Sequence, residues 1–360
     1  MHSQGRHEGS AISRQLTFAI SADYARHTGG WVYDHRMVRE LEELGWTVSR
    51  LTLPAGFPRP DRAQRDEAAR LIANLPKDSV LLVDQLVLGV LPEVARREGK
   101  RLKLAMIVHH PLALEDLSDP GEVVAFRESE REALAHAALA IVPSRATARI
   151  LMADYGVEER RMVVAEPGTD LQPVAPSREE GALSLLSIGS VVPRKAHEIL
   201  VEALTGLIDV PWRLTIVGDT DRHPAHVSRV QELIDQHGLS DRVTLTGGVD
   251  EIALEPFWQS ATVYVASSRL EGYGMAIAEA LSRGIPAVST DAGAVGEWVD
   301  RAAVRLVPVG DVVALRAALG EVLTDAGVLA RMRASALRAR AALPSWRSQA
   351  ARIEERLRKL

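Results

Sequence analysis

Residues Ser268 to Val288 read SRLEGYGMAIAEALSRGIPAV, and this stretch decides the architecture. Gly272 and Gly274 flank Tyr273, so the backbone can turn sharply and expose successive N–H groups. Apolar Met275, Ile277, Ala278 and Leu281 suit a buried helix starting at about Gly274, and Gly284 ahead of Ile285-Pro286 ends it. β-Branched residues suited to a strand follow. A helix N-terminus behind a glycine loop attracts phosphate oxygens, because its first N–H groups have no partner within the helix. Two carboxylates frame the place: Glu271 on the loop, at the phosphate end, and Glu279 eight positions on, more than one turn inside the helix. One can reach sugar hydroxyls and the other a ribose. Taken singly, a glycine-bracketed aromatic also makes a plain turn, and a helical Glu a solvated face. Together they form a layout for holding a phosphorylated sugar.

At 360 residues the chain exceeds what one hydrophobic core normally supports, so two domains are expected. Hydrophobic residues at 46% and charged residues at 25% are ordinary for a globular enzyme, and a net charge of −5 offers no general attraction for nucleic acid. With 0 Cys there is no disulfide and no thiolate metal site, which fits the cytoplasm. The polar start of the chain, residues 1–14, reads as a disordered tail rather than a signal peptide. The most apolar run, Ser79 to Leu91, is interrupted by Asp84 and Gln85 and falls short of a bilayer-spanning length. The basic stretch Arg96 to Lys103 is short and broken by Gly99, and reads as a solvated helix end leading into a strand, so membrane association is not expected.

Short β-rich runs alternate with helical segments, the pattern of parallel sheets with crossover helices. Strands are expected near residues 15–21, 46–53, 79–83, 102–108, 139–142 and 162–165, then near 183–188, 213–217, 242–246, 263–266, 286–289 and 304–307. Between the two sets, residues 170–181 carry two prolines and a charge cluster, and read as a linker. Two doubly wound domains facing each other across a cleft follow, with ligands at the carboxyl ends of the strands.

Other residues carry candidate chemistry. Arg194 and Lys195 lie between a strand and a helix at the opening of the second half, where adjacent cations can neutralise a diphosphate; as isolated surface cations they would mean nothing. Thr28-Gly29-Gly30 follows the first strand and opens a helix, a weak phosphate signal without the G-x-G-x-x-G spacing. His109-His110 follows an apolar strand directly, and tandem histidines there are more often packed residues than ligands.

The 268–288 string resembles the Glu-x7-Glu motif of retaining glycosyltransferases of the GT-B fold, the large fourth family (glycosyl transferases group 1) in particular. The resemblance is strong from about Leu183 to Trp298 and looser before. It implies an α/β fold of two Rossmann-like domains: residues 15–175 on the acceptor side, 176–340 binding the nucleotide sugar, and 341–360 a helix returning to the first domain. It implies that Lys195 and an arginine hold the diphosphate; the usual arginine position is Ser190 here and the glycine after the lysine is Ala196, which leaves Arg194 as the substitute. It also implies that Gly30 faces the diphosphate and that His109, or else His110, approaches the donor sugar. Glu271 grips sugar hydroxyls, Glu279 the ribose, and Gly272, Tyr273, Gly274 and Met275 supply the phosphate loop. Gly218 lets backbone near the nucleotide, and Gly248 and Val249 lie where backbone pairs with the base.

The expected activity is transfer of a hexosyl group from a nucleotide diphosphate sugar, with UDP the expected nucleotide, to a small soluble acceptor. The leaving diphosphate helps deprotonate the acceptor on the same face, and neither cofactor nor metal is expected. The rival readings are a GT-B nucleotide-sugar epimerase or hydrolase, a phosphorylase, and a non-catalytic nucleotide-sugar-binding protein.

Overall fold

The computed structural model describes residues 14–23, 28–115, 119–176 and 183–360. The expected tail, apart from Arg14, and the linker residues 177–181 lie outside the described residues. Six strands form the first sheet: β1 (Gln15–Ser21), β2 (Thr47–Leu53), β3 (Val80–Asp84), β4 (Lys103–Ile107), β5 (Leu139–Val142) and β6 (Met162–Val164). The second holds β7 (Leu183–Ile188), β8 (Trp212–Val217), β9 (Val243–Leu245), β10 (Val263–Ala266), β11 (Ala287–Thr290) and β12 (Val304–Val307). The spatial orders are β2-β1-β3-β4-β5-β6 and β12-β11-β10-β7-β8-β9, and the pairings are parallel.

Helices cover both faces of each sheet, which is why β3, β5, β10 and β11 are buried at every residue and why β5 and β10 read as continuous apolar runs. β3 extends to Asp84, one residue beyond the apolar run that marks it in the sequence, and sets a buried carboxylate at the strand end. In each sheet the chain winds outward one way and then returns to wind the other, so the order reverses between β1 and β3 and between β7 and β10. Crevices open at such reversals, at the carboxyl ends of the strands. The loops after β1, β3, β4, β7 and β10 therefore converge.

The helix Gly29–Glu43 starts there. Thr28 caps it, its hydroxyl accepting from the Trp31 amide at 3.3 Å, and the helix buries Tyr33, Asp34, Met37, Val38 and Leu41. Asp34 is thus an acidic residue on the apolar stripe. At the other end of the chain, the helix Trp346–Leu357 packs Trp346, Ala350, Ile353 and Leu357 into the first domain's core, among Tyr33, Met37, Leu41 and Val163. Burial of each such side chain stabilises by about 1.5–3 kcal/mol, Ala350 less. Gly168 makes this docking close: a methyl on its Cα would lie 2.1 Å from the Trp346 nitrogen. The two crossings between domains touch there, with the Thr169 amide donating to the Pro344 carbonyl at 2.8 Å. Among the described residues no helix is long and apolar enough to cross a membrane.

Candidate active site

The second domain contributes two loops. After β7, residues Pro193–Lys195 make one 3-10 turn, Ala196 takes a left-handed φ of +49°, and the helix His197–Thr205 follows. A left-handed residue at this step explains why a glycine suits it. The loop lies hard against the end of β8: a methyl on Gly218 would fall 2.0 Å from the Gly189 carbonyl oxygen. From this turn the Lys195 ammonium donates to Glu271 Oε1 at 2.7 Å, and the Ser268 hydroxyl donates to the same oxygen at 2.6 Å. Burial raises the Glu271 carboxyl, but the charges of Lys195 and Arg194 and the hydrogen bonds from Lys195 and Ser268 outweigh it and hold it down at about 2. Glu271 is therefore a fixed anion at neutral pH, with no proton to give.

Arg194 bridges the domains. Its Nη1 donates to the Leu270 carbonyl at 2.9 Å, and its Nε lies 3.3 Å from Oε2 of Glu115, in the first domain. Glu115 also contacts His110 Nε2 at 2.6 Å. Burial raises its carboxyl, while His110, Arg194 and Arg222 pull it well below the usual carboxylate range.

The loop after β10 meets the first domain through Gly272, where a methyl would lie 2.4 Å from the His109 carbonyl oxygen. Gly274 has φ +96° and opens the helix Met275–Ser282. Tyr273 stacks on Trp298 with ring centres 4.7 Å apart, and the Trp298 indole donates to the Tyr273 carbonyl at 2.8 Å. Met275 packs on the first domain's core, and a methyl on Gly29 would lie 3.7 Å from its sulfur. Two helix N-termini thus face each other across the junction, with Gly30 at the start of one and Gly274 and Met275 at the start of the other. Both favour negative charge.

On the first-domain side, His109 Nε2 lies 3.2 Å from Asp34 Oδ1 and 3.2 Å from Asp84 Oδ2. These donor atoms lie within 4.8 Å of one another. Two oxygens and one nitrogen fall short of the six or so oxygen ligands of a hard divalent cation, and imidazole at hydrogen-bond distance from both carboxylates makes an ion-paired cluster. Asp84 additionally caps the short helix Gln85–Leu88, accepting from the Leu86 amide at 2.6 Å.

Other candidate residues stand further out. Glu279 pairs with Arg283 at 3.3 Å, and Arg283 also holds Glu255 at 2.8 Å. Burial, then the nearby Glu251 and Glu255, raise the Glu279 carboxyl against the pull of Arg283. The buried Tyr264 phenol donates to the Ile188 carbonyl at 3.4 Å and is pushed up by burial and by the charges of Glu271 and Glu279. Gly248 lies near Asp219 beyond β9, and Val249 packs on the second-domain core.

The structure therefore brings His109, Lys195, Arg194, Glu271, Gly272 and Met275 to one junction, with Gly29, the neighbour of Gly30, against Met275 and with Gly218 beneath the Lys195 loop. Sequence reasoning missed Asp34, Asp84, Glu115, Ser268 and Gly293. A methyl on Gly293 would lie 2.2 Å from the Glu271 carbonyl oxygen, so this glycine backs the loop. The signals for two of them were present: Asp84 interrupts an apolar run, and Asp34 falls in the apolar register of its helix.

Residues 182–325 match the family model of glycosyl transferases group 1. The chain is 27% identical over 330 residues to the MMP alpha-(1->4)-mannosyltransferase of Mycolicibacterium hassiacum, covering 87% of this chain and 77% of that protein. With other curated relatives the alignments span about a third to three fifths of their length. Sucrose-phosphate synthase from Thermosynechococcus elongatus superposes with a TM-score of 0.80 at 18% identity, covering 96% of this chain and 98% of that one. Anabaena HepE in complex with UDP and glucose superposes with a TM-score of 0.76 at 17% identity, covering 96% and 99%. The paired six-stranded sheets have the GT-B arrangement of these solved structures, and the match of residues 182–325 to glycosyl transferases group 1, with the alignments to glycosyltransferases along the chain, supports a glycosyltransferase of that fold.

Proposed function

We propose that this glycosyltransferase moves a hexosyl group from UDP-sugar to a small soluble acceptor, in the cytoplasm, with retention of configuration and without a metal. One observation carries the reading: a lysine and a glutamate 2.7 Å apart, both largely buried, where the helix N-termini of two domains face each other. Lys195, Arg194 and the amides after Gly272 take the diphosphate, with Gly30 opposite. Arg194 lies near enough to Glu271 to depress its carboxyl, which supports its standing in for the arginine that Ser190 replaces. Glu271 accepts hydrogen bonds from sugar hydroxyls, Glu279 from the ribose, and His109 orients the sugar ring. Gly218, Gly248 and Val249 border the nucleoside. The solved HepE complex with UDP and glucose supports UDP as the nucleotide.

In the reaction the bond from the anomeric carbon to the phosphate oxygen breaks, and the acceptor oxygen bonds that carbon on the same face. The acceptor proton passes to the departing phosphate. The protein supplies position and preorganised charge. A thermal-shift panel of UDP, GDP and ADP in excess chelator tests the reading, because a ligand that binds only the folded state raises its melting temperature. UDP is expected to act most strongly, and mass spectrometry of donor and acceptor mixtures then identifies the product. No response to any nucleoside diphosphate removes the reading; activity that requires added magnesium or manganese removes its metal-free part.

A further inference from the structure

The Asp34–His109–Asp84 cluster is a built feature that substrate positioning alone does not explain. Asp34 is 0% and Asp84 1% exposed, and they arrive from separate elements, the helix Gly29–Glu43 and the end of β3, at the same imidazole nitrogen. Two buried carboxylates converging on one nitrogen are costly unless that nitrogen bears a proton and the ring a charge. The ring's other surroundings fix its direction. Tyr33 packs edge-on against it with ring centres 5.4 Å apart, and the Gly272 loop lies against its backbone carbonyl.

We propose that Asp34 and Asp84 are positioning residues that hold His109 as a cation at the mouth of the sugar-phosphate site, so that it acts as a charged donor and not as a base. The proposal rests on the reading of the junction as a donor site. A permanent imidazolium there adds to Lys195 and Arg194 in stabilising negative charge on the departing diphosphate, and leaves the acceptor proton for the phosphate itself.

The electrostatics agree. Burial lowers the imidazole, but the charge and hydrogen bond of Asp34, then those of Asp84, overcome it and raise His109 to about 10. The titratable groups coupled to this cluster include the Tyr33 phenol on the same helix as Asp34, His110 next along the chain, and Glu130, whose carboxyl is raised by burial and also by the Asp84 charge. The Tyr33 phenol is raised by burial and by Asp34, and so remains neutral. His110 is lowered by burial and takes Glu115 as its partner. Since His109 is raised above its ordinary value of 6.5, its stabilising contribution is complete below 6.5 and is lost as pH rises through about 10.

The test uses the full chain labelled with 15N-histidine, without substrate and in chelator, and follows the His109 ring nitrogens by NMR from pH 5.5 to 9. The His109→Gln variant assigns the signal. The imidazolium is expected to persist to at least pH 8.5 in the native protein. In Asp34→Asn its titration is expected to fall by about 1 to 3 pH units, the usual effect of a single close charge. Turnover in that variant should then lose its alkaline side and recover as the pH is lowered, a pattern that a merely structural lesion would not give. A native His109 that titrates near 6.5 overturns the proposal without any variant having to fold, and so does an Asp34→Asn loss that is equal at every pH. The NMR result is independent of catalysis: a persistent imidazolium in a protein that binds no nucleotide leaves the charge cluster standing and removes only the donor-site reading.

Discussion

Gly293→Ala is expected to dislodge the Glu271 loop, and Gly310→Ala isolates the reason. Both glycines are left-handed, with φ of +60° and +76°, so each alanine incurs the same conformational cost of about 1–2 kcal/mol. At Gly310 a new methyl meets nothing within 4 Å, whereas at Gly293 it falls 2.2 Å from the carbonyl oxygen of Glu271 and 3.2 Å from its nitrogen. That is roughly 1 Å inside ordinary contact, and the obstacle is backbone, which cannot rotate away. Glu271 must retreat, taking with it the hydrogen bond from the Ala294 amide at 3.2 Å. Overpacking of this kind adds about 1–3 kcal/mol, so Gly293→Ala should lose about 2–5 kcal/mol in a denaturant titration against about 1–2 for Gly310→Ala. A 1 Å displacement at a site of preorganised charge costs on the order of 100-fold in turnover, and Gly310→Ala should keep native turnover. Equal destabilisation by the two substitutions, with turnover intact in both, would refute the argument that Gly293 braces the loop.

Glu271→Ala should lower turnover by an amount worth about 2–4 kcal/mol while leaving affinity for free UDP nearly unchanged, and Glu279→Ala should weaken UDP itself; equal losses in a calorimetric titration would sink this division of roles. Buried Glu130 accepts from the Leu112 amide at 2.8 Å, and burial pushes its carboxyl up to about 7, so its stabilising contribution is full below about 4.5 and disappears as pH rises through 7. Glu130→Gln should therefore become more stable relative to the native protein between pH 5 and 8, by on the order of 2–3 kcal/mol in parallel denaturant titrations; a pH-independent difference would count against it. Ala196→Gly should relieve the left-handed strain at φ +49° and raise stability by up to about 1 kcal/mol, read as a shift in melting temperature.

The strands were legible because parallel sheets leave short β-rich runs between helical segments, and β1, β5, β7, β10 and β12 begin and end where those runs were expected. The Glu271 loop and Lys195 were legible for a related reason: each follows a strand directly, so linear position reports proximity to the cleft. The ion-paired cluster was not. Asp34, Asp84 and His109 come together because β1 lies beside β3 and β3 beside β4, an adjacency set by the sheet order, which one sequence does not display. Asp84 marks the difficulty: within an apolar run it reads as an interruption, and only as the last residue of β3 does it become a partner for histidine. Gly293 and Gly218 were invisible for another reason, since the need for a bare Cα comes from a neighbouring loop's backbone, far away in the chain.

The docking of Trp346 against Gly168 bears on how the molecule is made. The apolar surface formed by Tyr33, Met37 and Val163 is complete only when residues 346–357 reach it, and those residues follow the entire second domain. During synthesis from the N-terminus, the second domain's sheet is finished before the first domain can close its own core. The early half must wait with that groove uncovered, exposed to chaperones or to wrong partners. Order of birth and order of completion are therefore reversed in this chain, and a nascent chain stalled just before Trp346 should show a protease-resistant second half beside a first half that remains open to cleavage.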